Sequence, residues 1–500
     1  MKQFLKNHSG PFFALFALLA TPSGAAADEP AAQNSAVPQD RASSKTLGLD
    51  EVLRMAGERY PLILAALSDV DTAQGERVSA AGGFDPLWRA SGTVTPLGGY
   101  QSFRADTVVE QPTPIWGLSL FAGYRISSEK DSFPVYDQKL ATNQLGEARV
   151  GVRIPVLRDG PIDRRRASLS RAELGVEIAK QSVTQQRLEI IRLASHRYWD
   201  WVAAGLRLAI VKDWLLLAEK RDADIGTRAA SGDIAAIDRS ENQRTILQRK
   251  AAVVAFDRMF YEATQELSLF CRDEQGAVIP VDASRLPQSI PETSVETLMD
   301  TNAAERQALE QRPELPRLKA QQDQAKVERD WAQNQMLPAV DVVLSGSKDF
   351  GPGDPKWDKA VFEASLFIDI PLFARVARGR AQAASGTMAR LEQQQRITQD
   401  RIVADIRNAV MALKTAAQRA KLAREELSVA KMLEKAEFEK FFAGESTLLL
   451  VNLREQATAE AALRQVDALA DLQKSIANYR AATASSVRSS PKNATNTKNP

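Results

Sequence analysis

The chain has 500 residues, of which 26% are charged and 44% apolar, and its formal net charge is +2. This length exceeds one ordinary domain, so several domains or one elongated body is expected, and the composition is that of a folded protein. The small net charge gives no general attraction to nucleic acid, so we expect no nucleic-acid partner.

Residue types that serve most enzyme sites are scarce. His8 lies in the N-terminal segment, so His196 is the only other histidine, and Cys271 is the only cysteine. Once the N-terminal segment is removed, the chain can form neither a site with two histidine ligands nor an intramolecular disulfide. No Gly-rich phosphate loop and no G-x-S-x-G motif is present. We expect packing roles for His196 and Cys271, no enzyme activity, no cofactor and no metal.

The N-terminus has the pattern of a secretory signal peptide. MKQFLK is basic, PFFALFALLA is apolar, and Ala25-Ala26-Ala27 supplies an A-x-A cleavage site. We predict a signal peptide over 1–27, a polar linker over 28–45 and export from the cytoplasm. No later window is apolar for long enough to predict a membrane-spanning helix.

The rest of the chain alternates strand-rich and helical segments. The first repeat, 46–267, is predicted to hold two short helices, strands over about 86–157, and long helices over about 161–230 and 233–267. A connecting segment over 268–311 interrupts the helices. The second repeat, 312–484, is predicted to hold a helix to Met336, strands over about 338–371, and long helices over about 373–442 and 445–484. The polar tail 485–500 is predicted to be disordered.

The two halves have the same order of elements. Each has an alternating strand that ends in Ile-Pro, at Pro155 and Pro371, followed by an Arg-rich entry into a long helix and then by a Gly turn. The distance from the proline to the turn glycine is 77 residues to Gly232 in the first half, and 73 residues to Gly444 in the second. We interpret this as an internal duplication.

The predicted strands alternate between apolar and polar residues. Even positions from Phe362 to Ile370 are apolar, and odd positions are mostly polar; the strand that ends at Pro155 has the same pattern. Such alternation over about 9 to 11 residues is typical of a transmembrane barrel strand, but also of a half-buried sheet in a soluble protein. A further alternating face, from Trp116 to Tyr124, is interpreted as a protruding extension of a strand, with an additional hairpin that widens a barrel as the alternative.

The long helices favour the membrane interpretation. Apolar and small residues recur at heptad a and d positions after Leu169, which predicts packing along the whole helix. Seventy residues would make about 100 Å of helix, which no compact domain needs. A few membrane strands cannot close a barrel within one chain, and an open sheet edge in lipid would leave backbone groups unpaired. Oligomerisation is therefore expected.

Taken together, these features resemble the TolC-like outer-membrane efflux protein family over about residues 47–484. Five features carry the resemblance: the duplicated order, the R-P-E-L sequence at Arg312–Leu315, the strand AVFEASLFIDIPLF with its ARVARGRAQAA continuation, the segment LRDGPIDRRRA and the helix-breaking FFAGESTLLLV. It implies an α+β membrane protein: a homotrimer whose outer-membrane β-barrel continues into a long periplasmic α-helical barrel, with an internal two-fold repeat and an equatorial segment at 268–311.

The resemblance also implies where the two strand-to-helix connections lie in the assembled protein. Two strand hairpins would each cross the bilayer and lead into a helix, with Pro155 and Pro371 at the periplasmic rim, where strand pairing ends. Arginines would lie just outside the hydrocarbon of the outer-membrane lipid, where they could also contact carboxylates: Arg164, Arg165, Arg166, Arg375, Arg378 and Arg380.

The helix-breaking turns would form the periplasmic tips, which meet a periplasmic adaptor protein. These are Gly232-Asp233 and Gly444-Glu445. Family members often carry aspartates just beyond the second turn, but Leu450 and Leu453 occupy those positions here. The first repeat has Asp238 and Glu241 instead. We therefore predict a gate of partly apolar character.

The implied function is a passive exit duct, driven by an inner-membrane pump of RND or ABC type through the adaptor. Small-molecule efflux is the leading interpretation, and type I protein secretion is an alternative in the same class. A periplasmic coiled-coil scaffold or adaptor with a soluble β domain is the alternative from another class.

Overall fold

A computed structural model of the chain describes residues 46–97, 101–128, 133, 140–230, 236–298 and 300–485. The predicted signal peptide, the polar linker, the tail beyond 485, and Gly232 and Asp233 of the first tip lie outside the described residues.

Within the described ranges there are eight α-helices and six β-strands. The helices are α1 (Leu49–Arg59), α2 (Pro61–Ala81), α3 (Arg164–Ala230), α4 (Ala236–Ser268), α5 (Thr301–Gln311), α6 (Glu314–Asn334), α7 (Arg375–Phe442) and α8 (Leu448–Ala482). The strands are β1 (Leu87–Thr95), β2 (Ser102–Pro112), β3 (Ser119–Ser127), β4 (Gly146–Pro155), β5 (Ala339–Phe350) and β6 (Val361–Asp369).

Each half begins with a short helix and a longer one, joined at a proline. Helices α1 and α5 have 11 residues each, and α2 and α6 have 21 each. Pro61 is the first residue of α2, and Pro313 directly precedes α6. Proline suits the start of a helix because the first helical N–H has no partner within the helix.

Helix α5 lies within the segment 268–311, for which only an interruption of the helices was expected. The side chain of Asp300 caps its N-terminus by accepting hydrogen bonds from the amides of Asn302 (3.0 Å) and Ala303 (3.1 Å). Ala304 and Ala308 are buried in a cluster with Ile406 of α7. The short apolar stripe of two alanines is too weak a periodic signal to be recognised without that neighbour.

Helix α3 has 67 residues and is therefore about 100 Å long. Val176, Val183 and Ile190, which are seven residues apart, are all buried. The intervening predicted heptad positions are partly buried, and none is exposed. The heptad prediction for this helix is confirmed.

The six described strands form one antiparallel sheet in sequence order, β1 to β6. The register aligns the apolar faces of all strands: Trp88, Val109, Ala122, Val150, Gly346 and Phe362 form one row of paired residues. The neighbouring row, Leu87, Glu110, Phe121, Gly151, Ser345 and Glu363, lies on the opposite face. One face of the sheet is thus predominantly apolar, as the alternation predicts.

The apolar face is exposed. Phe362 is 73% exposed, Trp88 64% and Val150 60%. The opposite face carries ion pairs, in which Asp106 Oδ2 lies 3.1 Å from Arg125 Nε and 2.7 Å from Arg149 Nη2. An exposed apolar face of this extent marks an interaction surface, with another protein or with lipid.

The interpretation of residues 116–124 as a protruding extension is wrong. Trp116 and Gly117 lie in the turn between β2 and β3, and β3 pairs along its length with β2 and β4. The additional hairpin is what the structure contains, so the sheet has three hairpins where two were expected. A turn of six residues without an Asn-Gly or Asp-Gly pair gives a weak hairpin signal, which explains the error.

The helices pack into one layered bundle. Helices α2, α3, α6 and α7 lie side by side in that order, α4 packs on α3, and α8 packs on both α7 and α3. The largest apolar cluster centres on Trp201 and Val202 of α3, with Val52 of α1 and Leu267 of α4. No helix among the described residues is both long and apolar enough to cross a membrane.

Candidate channel tips and barrel rim

The turn between α7 and α8 is an αL cap at glycine. Gly444 has a φ of +77°, and the amides of Gly444 and Glu445 donate to the carbonyls of Phe441 (3.2 Å) and Lys440 (2.9 Å). The Thr447 side chain then caps α8 by accepting from the amide of Leu450 at 3.5 Å. A positive φ favours glycine, so this turn is where the sequence must break the helix.

The predicted gate residues lie on the first turns after the two tips. Leu450 and Leu453 of α8 are 42% and 56% exposed. Glu241 of α4 forms an ion pair with Arg244, and the hydrogen bond from Arg244 lowers the pKa of the Glu241 carboxyl. Asp238 is half-buried in the first turn of α4, where a carboxylate is favourable to the helix dipole.

A buried charged triad joins α3, α4 and α8, and it is not among the residues that the sequence predicts. Arg221 of α3 makes two parallel hydrogen bonds to Glu455 of α8, at 3.0 and 2.9 Å, and Arg249 of α4 donates to Glu455 Oε2 at 2.7 Å. The three side chains are 8%, 6% and 1% exposed, respectively for Arg221, Glu455 and Arg249. The triad joins the α3–α4 hairpin to α8.

The surroundings of Arg249 complete the triad. Its Nη1 donates to the carbonyl of Trp214 at 2.6 Å, and its guanidinium lies 4.4 Å from the centre of the Trp214 ring. Burial raises the pKa of Glu434 on α7, next to this cluster. Arg221 and Glu455 are 234 residues apart and each looks like an ordinary helical charge. Only the packing of the hairpins brings them together, so no local pattern could have predicted the contact.

The two prolines lie where the strands end. Pro155 is the last residue of β4, is buried, and its carbonyl accepts a hydrogen bond from Trp116 Nε1 at 3.0 Å. Pro371 follows the end of β6 by two residues and is half-buried. The turn between β2 and β3 therefore rests on the corner that leads from β4 into α3.

Of the six arginines, Arg166 is half-buried and the other five are exposed. Arg166 donates to Asp163 Oδ2 (3.0 Å) and to the carbonyls of Asp159 (2.7 Å) and Gly160 (2.8 Å), so it holds the corner between β4 and α3. The guanidiniums of Arg375 and Arg380 lie over the rings of Phe373 and Trp331, at 5.1 and 5.3 Å. The remaining members of the set are Arg164, Arg165 and Arg378.

Groups that serve catalysis or metal binding occupy packing positions. His196 Nε2 lies 2.8 Å from Asn478 Oδ1, and burial lowers the pKa of this imidazole. Cys271 is buried, and burial raises the pKa of its thiol to about 11. Among the described residues, no group of three His, Cys, Asp or Glu side chains could hold a metal ion.

Part of the chain matches a known protein family. Residues 305–485 match the family model described as outer membrane efflux protein. Over these residues the chain is similar to the outer membrane efflux protein family. Its members are transport proteins of the outer membrane, as the sequence resemblance indicates. A search of curated protein sequences finds no match.

Solved channel structures share the fold over nearly the whole chain. A membrane protein of Pseudomonas aeruginosa superposes with a TM-score of 0.59 at 15% identity, over 92% of this chain and 99% of that one. The Campylobacter jejuni CmeC outer membrane channel gives 0.59 at 14%, over 93% and 97%. The open state of the Neisseria gonorrhoeae MtrE outer membrane channel gives 0.60 at 14%, over 90% and 93%. At these identities the likeness establishes the fold alone.

Proposed function

We propose that the chain is the outer-membrane channel-tunnel of a tripartite efflux system and a passive exit duct for small molecules. In this proposal, three copies assemble as a homotrimer. Their sheets close a β-barrel in the outer membrane, and their long helices form an α-helical barrel that extends into the periplasm.

The observation that carries the proposal is the continuous apolar face of the sheet. One face of the six described strands is predominantly apolar and in register, while the other face carries the Asp106–Arg125–Arg149 ion pairs. A membrane barrel needs this arrangement, with apolar residues toward lipid and polar residues toward a water-filled lumen. The sheet leads directly into helices of about 100 Å, which supports a duct that continues beyond the membrane.

The rim residues fit an interface between barrel and periplasm. Pro155 ends β4 and Pro371 follows β6 by two residues, and the exposed Arg164, Arg165 and Arg378 lie in the first turns of α3 and α7, which come next in the chain. Long cationic side chains are favourable at the headgroup level of a bilayer. The matched lengths of α1 and α5, and of α2 and α6, support the proposal that the two halves are structural repeats.

The hairpin turns fit the periplasmic tips. In the proposal, Gly232, Asp233, Gly444 and Glu445 meet the periplasmic adaptor, and an inner-membrane pump of RND or ABC type supplies the energy. Leu450 and Leu453 provide apolar character to the gate, and Asp238 and Glu241 provide its acidity. The neighbouring genes distinguish efflux from type I protein secretion, because a proton-driven pump accompanies the former and a dedicated ABC exporter the latter.

Cell fractionation tests the proposal against the scaffold alternative. If the protein is the proposed duct, we expect it in the outer-membrane fraction, and we expect that detergent is needed to extract it. It should migrate as a heat-sensitive trimer in mild detergent gels. Extraction of a monomer by aqueous buffer would contradict the duct, because the alternating strands would then form an ordinary soluble sheet.

A further inference from the structure

The two outer strands of the sheet have the features of strands that pair with another chain. β1 pairs on one side with β2, and β6 on one side with β5. Both have nine residues, and eight of the nine in each are exposed. Because six consecutive antiparallel strands alternate in direction, β1 and β6 run in opposite directions. A second copy of this chain therefore presents the antiparallel partner that each edge lacks among the described strands.

We propose that β1 of one protomer pairs with β6 of the next, so that three copies of six strands close an eighteen-stranded barrel, with Thr93 opposite Glu363. This inference rests on the proposed function, because it assumes the trimer in the outer membrane. It goes beyond that function in fixing the strand number, the register across the interface and the width of the barrel.

The faces of the two strands restrict the register. The predominantly apolar face carries the even-numbered residues in both β1 and β6, so only registers that pair even with even keep one lipid face around the barrel. Among these, the register from Leu87 opposite Asp369 to Thr95 opposite Val361 pairs all nine residues of both strands. It brings apolar side chains together on one face: Trp88 with Ile368, Ala90 with Leu366, and Val94 with Phe362.

The same register gives a barrel of ordinary geometry. Within one protomer, the row of paired residues that starts at Leu87 ends at Glu363. Pairing Glu363 with Thr93 of the neighbour continues that row six residues further along β1. Three interfaces then accumulate a shear of about 18 residues, which for eighteen strands corresponds to a tilt of about 35°, within the range found for barrels.

The width of this barrel agrees with the helices below it. Eighteen strands at that tilt enclose a cylinder of ~33 Å between opposite backbones. Four helices lie side by side next to the sheet, α2, α3, α6 and α7, and twelve of them in a trimer at about 9 Å spacing form a ring of ~34 Å. Two hairpins per protomer at the same tilt would give only ~22 Å. The third hairpin thus makes the barrel as wide as the helical tunnel, and the narrowest point of the duct lies elsewhere.

Disulfide trapping tests the interface. Cys271 is first replaced by alanine, and Thr93→Cys and Glu363→Cys are then combined, since both positions lie on the polar face and are accessible to a mild oxidant. The Cα atoms of directly paired residues lie about 4.5 to 5.5 Å apart, within the span of a disulfide. We expect most of the protein to migrate as a covalent trimer after full denaturation without reductant. Each single-cysteine variant, and the offset pair Arg89→Cys with Glu363→Cys, should remain monomeric.

The outcomes separate this inference from the proposed function. A detergent-resistant trimer whose Thr93 and Glu363 cysteines do not link would overturn the register and leave the duct standing. Absence of any trimer in the outer membrane would overturn both. A density map of the wild-type trimer decides the strand number without any substitution: eighteen strands support the inference, and twelve contradict it.

Discussion

Glu455 balances two buried arginines from the other helical hairpin. Its carboxylate is the shared acceptor of Arg221 and Arg249, which are 8% and 1% exposed. Removing one partner of a buried ionic network costs about 3–5 kcal/mol, because the remaining charges stay buried without a counter-charge. The contact between the α3–α4 hairpin and α8 therefore depends on this carboxylate.

We predict that Glu455→Gln lowers the temperature at which the trimer unfolds, measured by circular dichroism in detergent. The matched control is Glu460→Gln on the same helix, whose carboxylate is exposed and lies 3.7 Å from Arg464 Nη1. A surface pair contributes at most about 1 kcal/mol, so the control should unfold close to the wild type. Equal unfolding temperatures for both variants would contradict the structural role of the triad.

Cys271 gives a second test at the residue scale. Burial raises the pKa of its thiol to about 11 from the ordinary 9.0. The thiolate is the reactive form, so two pKa units predict alkylation about 100-fold slower in the folded than in the denatured protein at about pH 8. Mass spectrometry of iodoacetamide-treated samples measures both rates, and rapid labelling of the folded protein would show that the Leu267–Cys271 core is not packed as described.

Among the elements, the turn between β2 and β3 has the strictest steric requirement. Gly117 has a φ of +68°, and a Cβ there would lie 2.3 Å from the carbonyl oxygen of Asp159. The turn therefore contacts the corner between β4 and α3 so closely that only glycine fits. This contact ties the third hairpin to the helical part of the molecule.

We predict that Gly117→Ala reduces the fraction of heat-sensitive trimer on mild detergent gels, because the β2–β3 turn must move away from the corner. Gly346→Ala in β5 is the control, since a Cβ there meets nothing within 4 Å. It should assemble like the wild type. Normal assembly of Gly117→Ala would mean that the hairpin does not need this contact.

Elements with long periodic patterns were predictable from sequence, and elements defined by their neighbours were not. The heptad spacing in α3 and the alternation in β4 and β6 are properties of the local chain, and the structure has both. Helix α5 has only two buried alanines, and the alternating face of β3 does not reveal that this strand pairs with both β2 and β4. The contacts of Glu455 join residues more than 200 positions apart, beyond the reach of any local pattern.

For the whole molecule, the proposed gate is the place where we expect function to depend on single residues. Leu450 is 42% exposed in the first turn of α8. A trimer of Leu450→Asp would carry three carboxylates at one level of the duct, and rings of acidic side chains favour cations. We predict a higher cation selectivity, measured from reversal potentials in a salt gradient. Leu422→Asp on α7, which replaces a leucine that is 56% exposed and lies 22 residues before Gly444, should change the cation selectivity less.

Failure of Leu450→Asp to alter selectivity would place the constriction elsewhere and leave the duct itself standing. The position of the constriction does not follow from the tip sequences alone. A leucine that is exposed in one protomer can face a lumen, a neighbouring copy or an adaptor. The packing of the assembled trimer determines which of these three Leu450 faces.

The most direct test of the duct is electrical recording from the purified wild-type trimer in a planar lipid bilayer. The account predicts discrete insertion events, each adding a small and uniform conductance, because the barrel spans the bilayer while the tips restrict the passage of ions. A trimer that associates with the bilayer without producing any conductance steps, under conditions where a known porin inserts, would contradict it.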